Sequence, residues 1–290
     1  MRKPVLFILF IVLISCNRSG SIKNEKIISV SIPPFRYFVE AIADSDFTVN
    51  ILVPAGSNPH IYEPVPEQIT RLSKSVAYIS DGYLGFEITW LDRFYEMNKT
   101  MKRISLGDKI DLIKSQEAHD SHDIEGADPH FWVSPKCALI IASEIRSLVT
   151  ELNPANKEKY DLNYTRLIRL INSIDSTARE RFSGHSGQPF MIFHPTLGYL
   201  ARDYALTQVA VENEGKEPTP AYLRGLIDIV RDRNIKVIFV QREYDIKNAG
   251  AIASETGAML EMIDPLSEKW DIAEIQIIEA IAKSLTAMRK

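Results

Sequence analysis

Apolar positions along this chain follow two alternating rhythms. Short, nearly continuous apolar runs are followed by longer stretches in which apolar residues recur every three or four positions. The first rhythm suits strands buried on both faces of a parallel sheet; the second suits helices that present one apolar stripe. Strands are expected near Ile27 to Ile32, Val49 to Pro54, Val76 to Ser80 and Arg103 to Leu106. A second set is expected near Phe190 to Phe193, Gln208 to Val211, Val237 to Val240 and Met259 to Ile263. Strands that alternate with helices predict an α/β fold of two lobes, each a four-stranded parallel sheet flanked by helices.

One long helix is expected between the lobes. Asn153-Pro154 offers a cap and a first helical residue, and Tyr160, Tyr164, Leu167, Ile171, Ile174, Ala178 and Phe182 then recur at helical spacing. Some 28 residues at 1.5 Å each span ~42 Å, the length of a two-lobed protein. The turn-forming run from Ser183 to Gly187 stops it, and His185 within that run is expected at the surface. The plan is therefore a first lobe over 25–152, a rigid connecting helix over 153–183 and a second lobe over 186–290. A rigid connector permits small rocking and discourages wide hinge opening.

The segment before the first lobe changes the picture. Met1-Arg2-Lys3 precedes an apolar run from Val5 to Ile14, then Leu13-Ile14-Ser15-Cys16 and the polar Asn17-Arg18-Ser19-Gly20. This reads as an export signal over 1–16, too short for a membrane span of roughly 20 residues. The tetrapeptide resembles a lipoprotein processing site, which makes Cys16 the expected lipidated first residue of the mature protein. Acyl chains at ~0.8 kcal/mol per buried methylene would tether the exported chain to a bacterial membrane, facing the periplasm or the cell exterior.

Cleavage there shortens the chain from 290 to 275 residues and lowers its basic count from 34 to 32, against 38 acidic residues. The resulting net charge of −6 argues against a nucleic-acid partner. The other cysteine, Cys137, lies in the apolar stretch Lys136 to Ile141 and reads as a buried, inert thiol. No C-x-x-C motif occurs.

Three of the six histidines occupy short, Pro-containing turns: Gly56-Ser57-Asn58-Pro59-His60, Asp128-Pro129-His130 and His194-Pro195. Asp264-Pro265 offers a carboxylate in a similar turn. Proline beside a ligand removes backbone freedom, so such a site loses little entropy when a metal arrives. Three imidazoles and a carboxylate suit a tetrahedral zinc ion. His60, His194 and Asp264 each follow an expected strand, where open α/β sheets place their ligands, and His130 precedes a helix starting near Pro135. Their separations of 70, 64 and 70 residues mean that only the tertiary fold unites them.

The stretches Gly56 to Pro64, Asp128 to Pro135, His194 to Tyr199 and Asp264 to Leu266 resemble the metal-binding lipoproteins that serve as substrate-binding components of zinc and manganese ABC importers, the cluster A-I family. Glu217-Pro218-Thr219-Pro220 and Ala251 to Gly257 add to the likeness. The resemblance implies two α/β lobes on a long helix, with metal between them held by His60, His130, His194 and Asp264. It also implies an ABC permease and a separate ATPase as partners, since no phosphate-binding loop occurs here. Imidazole at position 194, where manganese-type members tend to carry a carboxylate, favours Zn2+ over the alternative Mn2+ or iron.

Zinc-type members often carry a His-rich loop before Asp-Pro-His; here 115–128 holds only His119 and His122 among acidic residues, either a weak metal-collecting loop or a solvated acidic one. The chain is expected to act as a monomer, not as an enzyme. The rivals are a zinc-dependent hydrolase, for which H-E-x-x-H and Gly-x-Ser-x-Gly are missing, and a surface adhesin, which would not need the four-ligand set. Because neutral imidazoles bind the metal, affinity is expected to fall below pH ~6.5.

Overall fold

The computed structural model describes residues 26–114, 126–212 and 219–288. Cys16, His119, His122, Glu217 and Pro218 lie outside them. The first lobe runs β1 (Ile27–Val30), α1 (Pro33–Ala43), β2 (Thr48–Ile51), α2 (Pro66–Leu72), β3 (Ala77–Ser80), α3 (Gly85–Met97), β4 (Lys102–Ser105) and α4 (Pro135–Leu152). After α5 (Lys157–Phe182) come β5 (Pro189–Ile192), α6 (Gly198–Asp203), β6 (Thr207–Ala210), α7 (Pro220–Asp232), β7 (Val237–Val240), α8 (Lys247–Thr256), β8 (Met259–Met262) and α9 (Trp270–Ala287).

Both sheets are parallel, in the orders β2-β1-β3-β4 and β6-β5-β7-β8. In each the chain steps outward from the first strand and then crosses back, which opens a crevice beyond the carboxyl ends. The central strands β1, β3 and β7 are buried along their whole length, β7 as an unbroken apolar run and β1 and β3 with one serine each, whereas the edge strands β4 and β8 are largely open to solvent. All eight expected strands are present, with ends shifted by a few residues. Ile32, Leu52 and Val53 are fully buried just past the strand ends, and the N–H groups of Leu52 and Val53 still donate to the Val30 and Ser31 carbonyls at 2.9 Å.

The connecting helix begins later than the sequence suggests. Asn153 takes the non-helical angles φ −149°, ψ 71°, and a single 3-10 turn, Pro154–Asn156, precedes α5. The 26 residues of α5 extend ~39 Å and bury Tyr160, Leu167, Ile171, Ile174, Ala178 and Phe182. That stripe packs against α1 and α4 on one side and α9 on the other. His185 is not a surface residue: its ring folds beneath the turn after α5, 7 % exposed, with Nδ1 bonded to Gln188 Oε1 at 2.7 Å. Cys137 is buried and free on α4, and burial pushes its thiol up to about 11.

The core is unequal. One apolar cluster runs from the first lobe through α5 to the α9 face of the second sheet. A smaller one, including Met191, Phe193, Leu226, Val230, Ile238 and Ile252, fills the space under α7 and α8. Bonds across the lobes close the floor of the cleft. Trp132 Nε1 donates to the Pro265 carbonyl at 2.9 Å, Trp270 Nε1 donates to the Trp132 carbonyl at 2.7 Å, and Tyr199 OH donates to the Asp128 carbonyl at 2.6 Å.

Candidate metal centre

Three loops bring the imidazoles together. His60 ends a turn in which its N–H donates to Asn58 Oδ1 at 2.9 Å, and the start of α3 closes directly on it. A Cβ on Gly85 would lie 2.4 Å from the His60 carbonyl oxygen, so only glycine fits without displacing this loop. His130 follows β4 through a long segment and stands just before a 3-10 turn, Phe131–Val133, and the Ser134 cap of α4. His194 lies two residues beyond β5. Gln241, just past β7, clamps it from below: Gln241 Nε2 donates to the His194 carbonyl at 2.8 Å and to Thr196 Oγ1 at 2.9 Å.

The ring nitrogens converge. His130 Nε2 lies 3.1 Å from His60 Nε2 and 3.2 Å from His194 Nε2. One nitrogen from each ring falls within 4.8 Å of the others. Zn–N bonds of about 2.0–2.1 Å in a tetrahedron imply nitrogens about 3.3 Å apart, so the donor set fits zinc.

Carboxylates orient two of the three rings. Asp128 Oδ1 accepts both the backbone N–H of His130 at 2.9 Å and its ring Nδ1–H at 2.7 Å. The Glu212 carboxylate takes the Nδ1–H of His194 through Oε2. A carboxylate can only accept, so each Nδ1 carries the proton and each Nε2 turns a lone pair inward. Burial holds His60 down to about 3, with His130 acting in the same direction and Asp128 opposing it. His194 is held well below its ordinary value by burial and by the other two rings. Burial also raises Glu212, against the pull of His130. His60 and His194 are thus held as neutral donors, ready for a cation.

Aromatic walls enclose it. Tyr244 stacks on His194 with ring centroids 4.3 Å apart, and Trp132 meets His130 edge-on at 5.3 Å. Phe131 turns away into the core against Phe35 and Tyr199.

Asp264 is not brought into the group. Its Oδ2 accepts from Arg242 Nη2 at 2.7 Å, while the next residue, Pro265, lines a cavity with His130, Gln241, Glu243 and Tyr244. Asp128, Glu212, Gln241 and Tyr244 are the contributors that residue-type reasoning did not single out. Asp128 was visible as the first member of Asp-Pro-His; Glu212 gave no local signal.

Residues 28–289 match the profile of the family described as zinc-uptake complex component A, periplasmic (ZnuA). The chain belongs to this family. A crystal structure of ZnuA superimposes with a TM-score of 0.83 at 34 % identity, covering 90 % of this chain and 99 % of that one. Among curated relatives, the high-affinity zinc uptake system protein ZnuA of Bacillus subtilis is 27 % identical over 267 residues, 87 % of this chain and 82 % of its own length. The zinc-binding lipoprotein AdcA of Streptococcus pneumoniae R6 is 26 % identical over 292 residues, 96 % of this chain. This chain spans only 58 % of AdcA. A manganese-bound periplasmic metal-binding protein of Candidatus Liberibacter asiaticus shares the fold at a TM-score of 0.77, with 26 % identity over 90 % of this chain and 100 % of that one. Among the described residues of this ZnuA-family chain, no helix is long and apolar enough to cross a membrane.

Proposed function

We propose that this chain is the extracytoplasmic metal-binding component of an ABC importer, capturing zinc between its lobes and delivering it to a permease powered by a separate ATPase. The observation that carries this is the convergence of three Nε2 atoms at 3.1 and 3.2 Å, with two Nδ1 atoms held by carboxylates. His60, His130 and His194 are the proposed donors. Asp264 is the proposed fourth donor only after release from Arg242. Lobes over 25–152 and 186–290, set on the connector over 153–183, give a cleft that small rocking can open. Lipidation at Cys16 would keep the protein at the membrane beside its permease.

The zinc-named relatives support zinc as cargo. The manganese reading draws on the manganese-bound relative and on the iron-binding protein YfeA of Yersinia pestis, 27 % identical over 246 residues, 83 % of this chain and 77 % of its own length. Neutral imidazoles, the softer donors, favour zinc. We read the chain as a carrier and not an enzyme; the zinc-loaded protein is expected to leave an activated ester unhydrolysed. A competition titration of the purified protein with zinc and manganese tests the reading. One-to-one zinc binding that manganese does not displace supports it, preferred manganese changes the cargo, and binding of neither removes it.

A further inference from the structure

Carboxylates hold two of the three rings, and among the described residues none is bonded to the ring of His60. His60 is held through its main chain instead. Phe86 N–H donates to the Pro59 carbonyl at 3.3 Å, and Gly85 lies so close to the His60 carbonyl that any Cβ there would meet its oxygen at 2.4 Å. The His60 loop is therefore only as fixed as the first turn of α3, and Glu87 is the third residue of that turn. Resting on the zinc reading, we propose that Glu87 is the positioning residue for His60, doing through the α3 turn what Asp128 and Glu212 do for the other two rings by direct bonds.

Glu87 and Asp81, just past β3, are both fully buried. Glu87 Oε1 accepts from the Ser31 hydroxyl, from the Tyr78 phenol at 3.3 Å and from the Asp81 N–H at 2.9 Å, while Oε2 accepts from the Gly82 N–H at 2.5 Å. One side chain thus ties the loop leading into α3 to β3 and to the end of β1, and its place in the first helical turn suits a negative charge. Asp81 has one oxygen on the Tyr83 N–H at 3.1 Å, and the other is buried without a partner among the described residues. Burial and the neighbouring Glu87 push Asp81 well above the usual carboxylate range, whereas four donors counter the burial of Glu87. The proton of the pair therefore stays on Asp81 and the charge on Glu87. A buried charge without a cation beside it is destabilising, and an apolar side chain would fill the same space at less cost. What the carboxylate supplies is geometry: a fixed entry to α3 and, through Gly85 and Phe86, a fixed height for the Pro59-His60 turn.

A double-mutant cycle on the full chain tests this, with Glu87→Gln, His60→Ala and the two combined. The readouts are zinc affinity by chelator competition and the visible absorption of the cobalt(II)-loaded protein. Glutamine keeps the size of the side chain but turns one acceptor oxygen into a donor that faces the N–H groups of the loop. Tyr78→Phe, which removes one donor from the carboxylate, takes its place if Glu87→Gln does not fold, with a smaller loss and the same dependence on His60. Glu87→Gln should lower zinc affinity by about 10- to 100-fold, the usual cost of losing a supporting partner. In the His60→Ala background the same substitution should change affinity by no more than about twofold, because the residue it serves is gone. The cobalt absorption of Glu87→Gln should move towards that of His60→Ala, a shift that lost stability alone would not produce. Asp81→Asn, neutral like the acid it replaces, should bind zinc like the wild type. Three results would overturn the proposal: a loss that persists undiminished in His60→Ala, an affinity and cobalt spectrum unchanged in Glu87→Gln, or an equal loss in Asp81→Asn, which would make the buried pair a matter of lobe packing. Failure of the wild type to bind zinc would instead remove the zinc reading and this proposal with it.

Discussion

In the first lobe His130 is held by Asp128, two residues earlier in its own loop; in the second, His194 is held by Glu212, eighteen residues away on a neighbouring strand end. The strand orders match, so topology does not explain the difference. A proline turn can orient a ring by itself when the carboxylate lies within the same few residues. The second lobe relies on sheet register instead: β5 and β6 align Ile192 with Ala210, and two steps beyond each come His194 and Glu212. Its geometry is therefore only as firm as the pairing of those strands. The outer helices α7 and α8 rest on the smaller core, while the first lobe shares its core with α5 and α9. We expect the second lobe to be the one that yields when metal leaves.

The largest effect should come from the ring that touches both others. His130→Ala removes the nitrogen that lies within 3.2 Å of each neighbour and should cost orders of magnitude in zinc affinity by calorimetry. His194→Ala should follow closely. If His130→Ala bound zinc like the wild type, the convergence of the rings would not be the capture site.

Metal loading should come next in size. A ligand present at a thousand times its Kd stabilises the folded state by about 4 kcal/mol, so zinc should raise the melting temperature clearly. Hydrogen exchange should show where that stability goes: protection on zinc addition should grow more in β5, β6, α7 and α8 than in β1 and β3. Equal gains in both lobes, or melting that zinc does not change, would break the contrast between them.

The fold was largely legible because buried parallel strands announce themselves as unbroken apolar runs, as Val237 to Val240 does. Strand ends were less so, since Leu52 and Val53 are buried and still bond the chain beside β1, so they look like strand residues although β2 ends at Ile51. His60, His130 and His194 stood out because proline turns confine them. Arg242 and Glu212 did not, because their roles exist only once β7 pairs with β8 and β5 with β6. Asp264 illustrates the limit: its turn was readable, its commitment to Arg242 was not. His185 was misplaced for a similar reason, since a Gly and Ser rich turn does not reveal that Gln188 draws the ring inward.

Substituting the orienting carboxylates sharpens the comparison further. Asp128→Asn and Glu212→Gln should each weaken zinc binding by about 10- to 100-fold, the usual cost of losing such a partner. Asp128→Asn should lie at the upper end, because one oxygen serves both the ring and the backbone N–H of His130. Chelator competition distinguishes the two, and a larger loss at Glu212 would mean that sheet register fixes the site more firmly than the local turn.

The smallest effect is the acid response of the metal-free protein. The unfolded chain takes protons on these imidazoles near pH 6.5, whereas burial and the neighbouring rings hold His60 down to about 3 and His194 well below its ordinary value. Between those limits the unfolded state binds more protons, so stability rises with pH and is lost as pH falls below about 6.5. Burial raises Glu212 and Glu243, and these act in the opposite sense as they take up protons at lower pH. Melting the metal-free wild type beside a His60→Gln, His194→Gln variant from pH 7.5 to 5 separates the contributions. The wild type should lose more stability over that interval, because only it must keep the two rings neutral against solvent protons. Parallel curves would mean that the lobes already stand apart without metal, with both rings free to titrate in water, and capture would then begin from an open cleft.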